Sequence, residues 1–359
     1  MKHIFFVLLV SLLITTQAAW GARAKLSIMA EEPYISALVV DADTGKILFD
    51  DNSEAAAYPA SVLKLIDLLI ILEHIERGTI QLDDMVQVTR EAAQMGGSQV
   101  YLDPKERFSV EDLLYALAVQ SANDAAVALA THVAGSKAGF VSLMNKRAEE
   151  LGMKNTHFYS VHGLPPSEGQ KPDVTTARDL SILARELANR SEVFKYTSTR
   201  ERDFRGGKFI MRTHNHLLTD VDGCDGFKTG YFKAAGFSIV ATAKKGGVRI
   251  VAIVMGSKDR KVRDIKATEL LAKGFAMVPR KPIAETTASS PKAASEKTVA
   301  PASSEPLEIQ PPGKKTDTAS SSSGGWGMFF WGLGAGLLLF GLLAIYLSRK
   351  RPKKYLRNY

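Results

Sequence analysis

The chain carries one cysteine, Cys224, in 359 residues. A single thiol forms no internal disulfide, so the folded part must rest on its hydrophobic core. Cys224 reads as a packing residue, with a reactive thiol as the lesser alternative. The seven histidines show no zinc-type spacing. His157 and His162 read as structural, and neither a metal nor a cofactor is expected. There are no internal repeats. The central stretch also lacks the basic excess of the whole chain, which is +8. The tail after Leu347 holds +6, residues 279–325 hold +1 and residues 1–24 hold +2, leaving −1 for residues 25–278. The high isoelectric point therefore belongs to the ends and is no argument for nucleic-acid binding.

What is present begins with those ends. Residues 1–24 read as a secretory signal: Lys2, an apolar run from Ile4 to Ile14, then small residues at Gly21, Ala22 and Ala24 where cleavage can fall. An uncleaved anchor is the alternative, but the apolar core is short for a span. Residues 326–347, Trp326 to Leu347, hold 22 uncharged residues. At ~1.5 Å per residue a helix of that length covers ~33 Å, enough for a bilayer core. Trp326 and Trp331 suit one interface and Tyr346 the other. Residues 348–359 carry six basic side chains and no acidic one, which predicts a cytoplasmic C-terminus. A buried core helix is the alternative for the apolar run. Residues 279–325, rich in Ser, Thr, Ala, Pro, Lys and Glu, read as a disordered linker of ~40 Å coil span and ~160 Å full extension. The expected layout is a domain outside the cytoplasm, tethered by one C-terminal transmembrane helix.

Residues 25–278 read as one mixed α/β domain. Ala37 to Asp41 and Lys46 to Asp50 read as two strands around Ala42-Asp-Thr-Gly45, a hairpin signal. Helical patterns follow in Val110 to Ala134, Phe140 to Leu151 and Thr176 to Asn189, the last with Thr175 as its expected cap. Strands return at Gly226 to Phe232, Gly236 to Ala243 and Arg249 to Gly256, with Lys244-Lys-Gly-Gly247 as a turn, and a helix from about Arg260 to Ala276 closes the domain. A strand hairpin, a helical block, three strands and a helix predict an antiparallel sheet covered by helices.

Three short motifs carry chemistry. Ser61-Val-Leu-Lys64 puts a hydroxyl and an amine three residues apart at a helix start, where they share a face. A serine is a poor nucleophile until a base takes its proton, and a lysine is a base only when burial or a second cation lowers its pKa. The helix start also supplies free backbone N–H groups. A capping serine beside a solvated lysine fits the same pattern. Gln120-Ser-Ala-Asn-Asp124 interrupts an apolar helix. It either breaks the helix between two core segments or turns Ser121 and Asn123 toward a cleft. Lys228-Thr-Gly230 lies in an expected strand, where Gly230 admits a close backbone and Lys228 can hold a carboxylate and lower the pKa of Lys64. An ordinary edge strand is the other reading.

The three motifs in this order and spacing resemble the signature of penicillin-binding proteins and serine β-lactamases. Pro59-Ala-Ser-Val-Leu-Lys64, Gln120 to Ala130, Asn155-Thr-His-Phe158 with Val161-His-Gly-Leu164, Thr176-Ala-Arg-Asp179 and Asp225-Gly-Phe-Lys-Thr-Gly230 narrow it. Over about residues 30–278 they resemble the low-molecular-mass D-alanyl-D-alanine carboxypeptidases. The resemblance implies a β-lactamase/DD-peptidase-like fold and an acyl-enzyme on Ser61. In it Lys64 is the base, Ser121 relays a proton to the leaving D-alanine, and Asn123 orients Lys64 and the substrate amide. Lys228 and Thr229 bind the terminal carboxylate beside Gly230, and the N–H groups of Ser61 and Tyr231 hold the oxyanion. It also implies peptidoglycan stem peptides as substrate and β-lactams as inhibitors, with no metal.

Departures are Phe232, where the family often has a small or polar residue, and His214 before Asn215, where it often has an arginine. The family's best-known members also carry a second β-rich domain before a terminal amphipathic helix, and here a linker and a membrane span are expected in place of both. A class A β-lactamase would need a Glu-x-x-Leu-Asn segment after Asn123, and none is there. An endopeptidase on cross-linked peptidoglycan, a β-lactam-sensing module and a wall-binding role without turnover are the remaining alternatives.

Overall fold

The structure, a computed structural model, describes residues 26–279. The expected secretory signal, the expected linker beyond Pro279, the apolar run expected to span a membrane and the basic tail lie outside the described residues. Among the described residues no single helix is long and apolar enough to cross a membrane.

A five-stranded antiparallel sheet forms the frame, in the order β2-β1-β9-β8-β7. Its strands are β1 (Ser36–Asp41), β2 (Ile47–Asp51), β7 (Cys224–Phe232), β8 (Gly236–Lys245) and β9 (Val248–Ser257). The N-terminal hairpin thus docks against the three strands formed nearly two hundred residues later. Its turn is fixed by Asp41, whose Oδ1 accepts the N–H groups of Asp43 and Thr44 at 2.9 Å each. Between β8 and β9 the turn is Gly246-Gly247 alone, with φ of +54° and +76°, the twist that two-residue hairpins favour. Both lysines expected there belong to β8.

Both sheet faces are covered, and the two-residue period sorts the side chains. Ala37 and Val39 of β1, with Ile250, Ala252 and Val254 of β9, pack with Ala267, Leu270 and Leu271 of the closing helix Arg260–Met277. Leu38, Val40, Val251, Ile253 and Met255 face the other way, into the larger core under the helical block. That block is built on α1 (Lys64–Glu76), which is buried from Lys64 through Leu72. A helix apolar all round is a core helix.

The remaining helices are α2 (Arg90–Ala93), α3 (Val110–Tyr115), α4 (Asn123–Ala134), α5 (Lys137–Leu151), α6 (Ala177–Ala188), α7 (Val193–Thr197), α8 (Leu217–Asp220) and α9 (Arg260–Met277). The cap of α6 is Thr176, whose hydroxyl accepts the Asp179 N–H at 3.1 Å, and not Thr175. Thr175 is bridged by its backbone to Ala57 in both directions, so the chain is still extended there. Two small hairpins escaped the sequence reading: β3 (Met85–Gln87) with β4 (Arg107–Ser109), and β5 (Glu201–Phe204) with β6 (Phe209–Arg212). Strands of three and four residues are too short to show a period. Cys224 is half-buried and its thiol is pushed up to about 11, chiefly by burial, which fits a packing role.

Candidate active site

Ser61 lies in a 3₁₀ turn, Ala60–Leu63, that runs into α1 at Lys64. With three residues per turn, positions i and i+3 eclipse, so Lys64 stands over Ser61 and its Nζ donates to Ser61 Oγ at 3.0 Å. Nζ also donates to Asn123 Oδ1 at 2.7 Å and to the His162 carbonyl at 2.8 Å. Lys64 is 1 % exposed. Burial pushes its pKa down to about 8, against the opposing pull of Asp67, Asp124 and Asp173. Burial, and not the Lys228 cation, is therefore the leading cause. The lysines do repel: after burial, the Lys64 charge is the next cause holding Lys228 well below its ordinary range. Asp67, one turn along α1, is buried with neither carboxyl oxygen hydrogen-bonded among the described residues. Burial raises its pKa well above the ordinary carboxylate value, against the opposing charge of Lys64.

The second motif breaks the helix as a cleft loop. After α3 the chain widens into a π-helical turn, Ala116–Gln120, whose Ala116 carbonyl accepts the Ser121 N–H and also the Ala122 N–H at 3.0 Å. Ser121 then sits at φ +59°, a left-handed conformation rare outside glycine. Its Oγ accepts from Lys228 Nζ at 2.8 Å. Asn123 opens α4. Its Nδ2 donates to the Gly96 carbonyl at 2.7 Å, an arrangement that leaves Oδ1 for Lys64. The Asn123 N–H donates to the Ser98 carbonyl at 2.8 Å, and Asp124 accepts from the Val100 and Leu102 N–H groups at 3.2 and 3.0 Å. The segment 96–102 is thus pinned to the start of α4.

The third motif lies on β7, at the open edge of the sheet. A Cβ on Gly230 would stand 2.6 Å from the Pro59 carbonyl oxygen and 3.1 Å from the Ser61 nitrogen. Only glycine lets β7 run this close to the serine turn, bringing the Tyr231 segment beside the Ser61 backbone. On the far side, Gly163 at φ +71° lies so close to the turn that a Cβ would meet the Ala60 oxygen at 2.2 Å. That approach delivers the His162 carbonyl to Lys64.

These elements enclose a cleft of about 320 Å³ whose lining includes Ser61, Ser121, Asn123, Thr229, Gly230 and Tyr231. Lys64 and Lys228 do not line it. They lie beneath it, each holding a serine hydroxyl that does. Sequence reasoning did not assign Gly97, Ser98, His216, Arg260 or Arg263 to the site, and all of them line the cleft. Arg263 is 2 % exposed because α9 docks its first turn against β8, and nothing local in the sequence signals that. The Gly96-Gly97 pair was the available clue to a close approach: a Cβ on Gly97 would lie 2.7 Å from Asn123 Nδ2. His214 lines the cleft as a neutral ring, its pKa pushed down to about 4 by burial and then by Lys228 and Lys64. Phe232 is outside the lining and stacks on Tyr58 with centroids 5.8 Å apart. The His162 ring accepts the Leu164 N–H at 3.1 Å, a structural role.

A serine over a buried lysine, beside a second lysine-held serine and a cationic cleft end, on a helix-covered antiparallel sheet, defines a serine hydrolase. The chain belongs to the D-alanyl-D-alanine carboxypeptidase family, whose model matches residues 24–259. It is 38 % identical over 291 residues to the D-alanyl-D-alanine carboxypeptidase DacF of Bacillus subtilis, covering 79 % of this chain and 73 % of that one. With DacC of Escherichia coli it shares 35 % over 255 residues, 68 % of this chain and 62 % of the relative, so the chain spans under two thirds of that protein's length. Among solved structures, penicillin-binding protein D2 of Listeria monocytogenes in its ampicillin-bound form superposes with a TM-score of 0.62 at 29 % identity, over 70 % of this chain and all of that one.

Proposed function

We propose that this protein removes the terminal D-alanine from peptidoglycan stem peptides through an acyl-enzyme on Ser61. The observation that carries the reading is the shared hydrogen-bond frame of the three motifs: Lys64 on Ser61 and Asn123, Lys228 on Ser121, and Gly230 against the serine turn. Family membership supplies the substrate class.

The chain's own groups suffice for each step. Neutral Lys64 takes the Ser61 proton as Oγ attacks the carbonyl between the two D-alanines. The carbonyl oxygen takes the negative charge and is met by the N–H groups of Ser61 and Tyr231. The C–N bond then breaks, the leaving amine takes a proton relayed through Ser121, and the ester on Ser61 remains. Water, with Lys64 as base, cleaves the ester and returns the proton to Oγ. The terminal carboxylate sits against Thr229, in the field of Lys228, Arg260 and Arg263. Asn123 orients Lys64 and the substrate amide. The free edge of β7 offers backbone groups to an extended peptide. β-Lactams acylate the same serine and inhibit, a reading supported by the ampicillin-bound relative.

The same proposal places the catalytic domain, residues 25–278, outside the cytoplasm of a bacterial inner membrane. It is exported by residues 1–24, spaced by a disordered linker at 279–325 and anchored by a helix at 326–347, with residues 348–359 as a cytoplasmic tail. The uncharged run and the basic run after it support this layout.

The test is D-alanine release from a pentapeptide by the detergent-solubilised full chain, beside labelling with a fluorescent penicillin. Both should vanish in Ser61→Ala, and labelling that survives would place the nucleophile elsewhere. Assaying cross-linked muropeptides in parallel separates carboxypeptidase from endopeptidase.

A further inference from the structure

A second cleft, of about 570 Å³, lies beyond the first and shares one wall residue with it, Leu164. We propose that it is a subsite for the upstream, carboxylate-bearing part of the acyl donor. The proposal rests on the acyl-transfer reading of Ser61.

The first cleft has two unlike ends. His214 and Arg263 line the cleft, and His214 lies within electrostatic reach of His216, Arg263 and the buried Lys228, which makes that end cationic and imidazole-rich. Gly97, Asn123 and Leu164 are uncharged and lie together, for a Cβ on Gly97 would stand 2.7 Å from Asn123 Nδ2 and 3.0 Å from Leu164 Cδ2. A substrate whose terminal carboxylate takes the cationic end, with its scissile carbonyl over Ser61, must leave by the uncharged end. Its volume is near the bottom of the roughly 300–1,000 Å³ range of ligand sites, so a longer peptide has to continue past Leu164.

What it would meet there is built for a mixed aliphatic and anionic segment. Met95, Val141 and Pro165 give apolar walls, and Ser160 and Gln170 add neutral hydrogen-bonding groups. Lys137 is the lining's only ordinarily charged side chain, and no carboxylate lines the cleft. The Lys137 ammonium meets Glu91 at 2.7 Å in a half-exposed pair. Such pairs are weak, so an incoming carboxylate can compete for the ammonium.

The divider is held in place by the catalytic frame. The His162 carbonyl accepts from Lys64 at 2.8 Å, and the His162 ring, which lines the second cleft, accepts the Leu164 N–H at 3.1 Å. Burial pushes that ring's pKa down to about 3, so it stays an acceptor at working pH. One residue therefore fixes the base at one cleft and the wall between both.

The test uses the full chain in detergent and two substrates ending in D-Ala-D-Ala. One is a tripeptide with small uncharged caps upstream; the other is a pentapeptide with free upstream carboxylates. Ala138→Trp fills the second cleft from an exposed position, and Lys137→Met removes its cation. Both variants should lower kcat/KM for the pentapeptide five- to twentyfold, through KM. Tripeptide turnover and benzylpenicillin acylation should stay within twofold of wild type, which also reports intact folding. Equal losses on both peptides, or a loss on neither, would overturn the subsite. Wild-type protein that releases D-alanine from neither peptide overturns the reading of Ser61, and the subsite with it.

Discussion

Lys228 donates to Ser121 at 2.8 Å beneath the cleft, as Lys64 donates to Ser61 at 3.0 Å. The lysines of both pairs are buried and repel one another, and both hydroxyls face the ligand space. If Ser121 relays the proton, its usefulness depends on the ammonium that orients it. Ser121→Ala and Lys228→Ala should each slow acylation by about 10²–10³, within the range of proton-transfer catalysis. The double variant should be little slower than the worse single one, because the second change removes a partner already disabled. Stopped-flow acylation by benzylpenicillin measures all four proteins. Fully additive losses would mean that the two residues act separately.

A base must be neutral to accept a proton, and Lys64 is held to about 8 by burial. Below that pH the competent fraction should fall about tenfold per unit, so kcat/KM rises through about pH 8 and then levels. Stability follows the same group. The folded lysine loses its proton near 8, while the unfolded one keeps it to 10.5. Between those values the unfolded chain binds more protons, so this group makes stability rise with pH, by at most about 1.4 kcal/mol per unit. Denaturant unfolding of wild type and Lys64→Met at pH 8 and 10 isolates that slope. A slope equal in both proteins would mean that Lys64 is not the buried group responsible.

Gly163 and Gly169 share a left-handed backbone, with φ of +71° and +81°, but not their surroundings. Nothing lies within 4 Å of a Cβ at Gly169, so Gly169→Ala should cost only the conformational term, about 1–2 kcal/mol. At Gly163 the added carbon meets backbone at 2.2 Å, and neither the Ala60 turn nor the 160–164 segment can yield cheaply. Gly163→Ala should cost about 3 kcal/mol or more. It should also slow penicillin acylation, because the shift that relieves the clash carries the His162 carbonyl away from Lys64. Thermal unfolding beside acylation kinetics checks both effects. Equal behaviour of the two variants would show that the contact at Ala60 is relieved without moving the site.

Much of this was readable in the sequence because the informative residues are locally coded. Short runs bounded by turn signals gave β1, β8 and β9, longer apolar runs gave the buried helices, and three motifs gave the hydroxyls and amines that meet at the cleft. What stayed hidden depends on distant packing. Arg260 and Arg263 look like the solvated first turn of a helix until α9 docks on the sheet. The His162 carbonyl is a backbone group with no side-chain signature, and only the glycine after it hints at a close approach. The placement of Lys228 behind the cleft also escaped: it was expected at the ligand together with Thr229, and of the two only Thr229 lines the cleft. Where Lys64 gets its low pKa follows from burial by the whole core, which no motif displays.

Phe232 stood out in the sequence as a departure from the family's pattern close to the third motif, yet it stacks on Tyr58 rather than lining the cleft. Tyr58, Ala60 and Ala235 form a small apolar cluster with Phe232 packed on it, directly behind the serine turn. Its work is then to brace the turn. Phe232→Ser should cost about 1–3 kcal/mol from lost burial and ring stacking. At temperatures where the variant is folded, KM for a D-Ala-D-Ala peptide should stay within twofold of wild type. Phe232→Leu keeps most of the apolar area and should recover most of the stability. Thermal unfolding and steady-state D-alanine release on the three proteins decide the matter. A several-fold change in KM with unchanged thermal stability would put the ring in the path of the substrate instead.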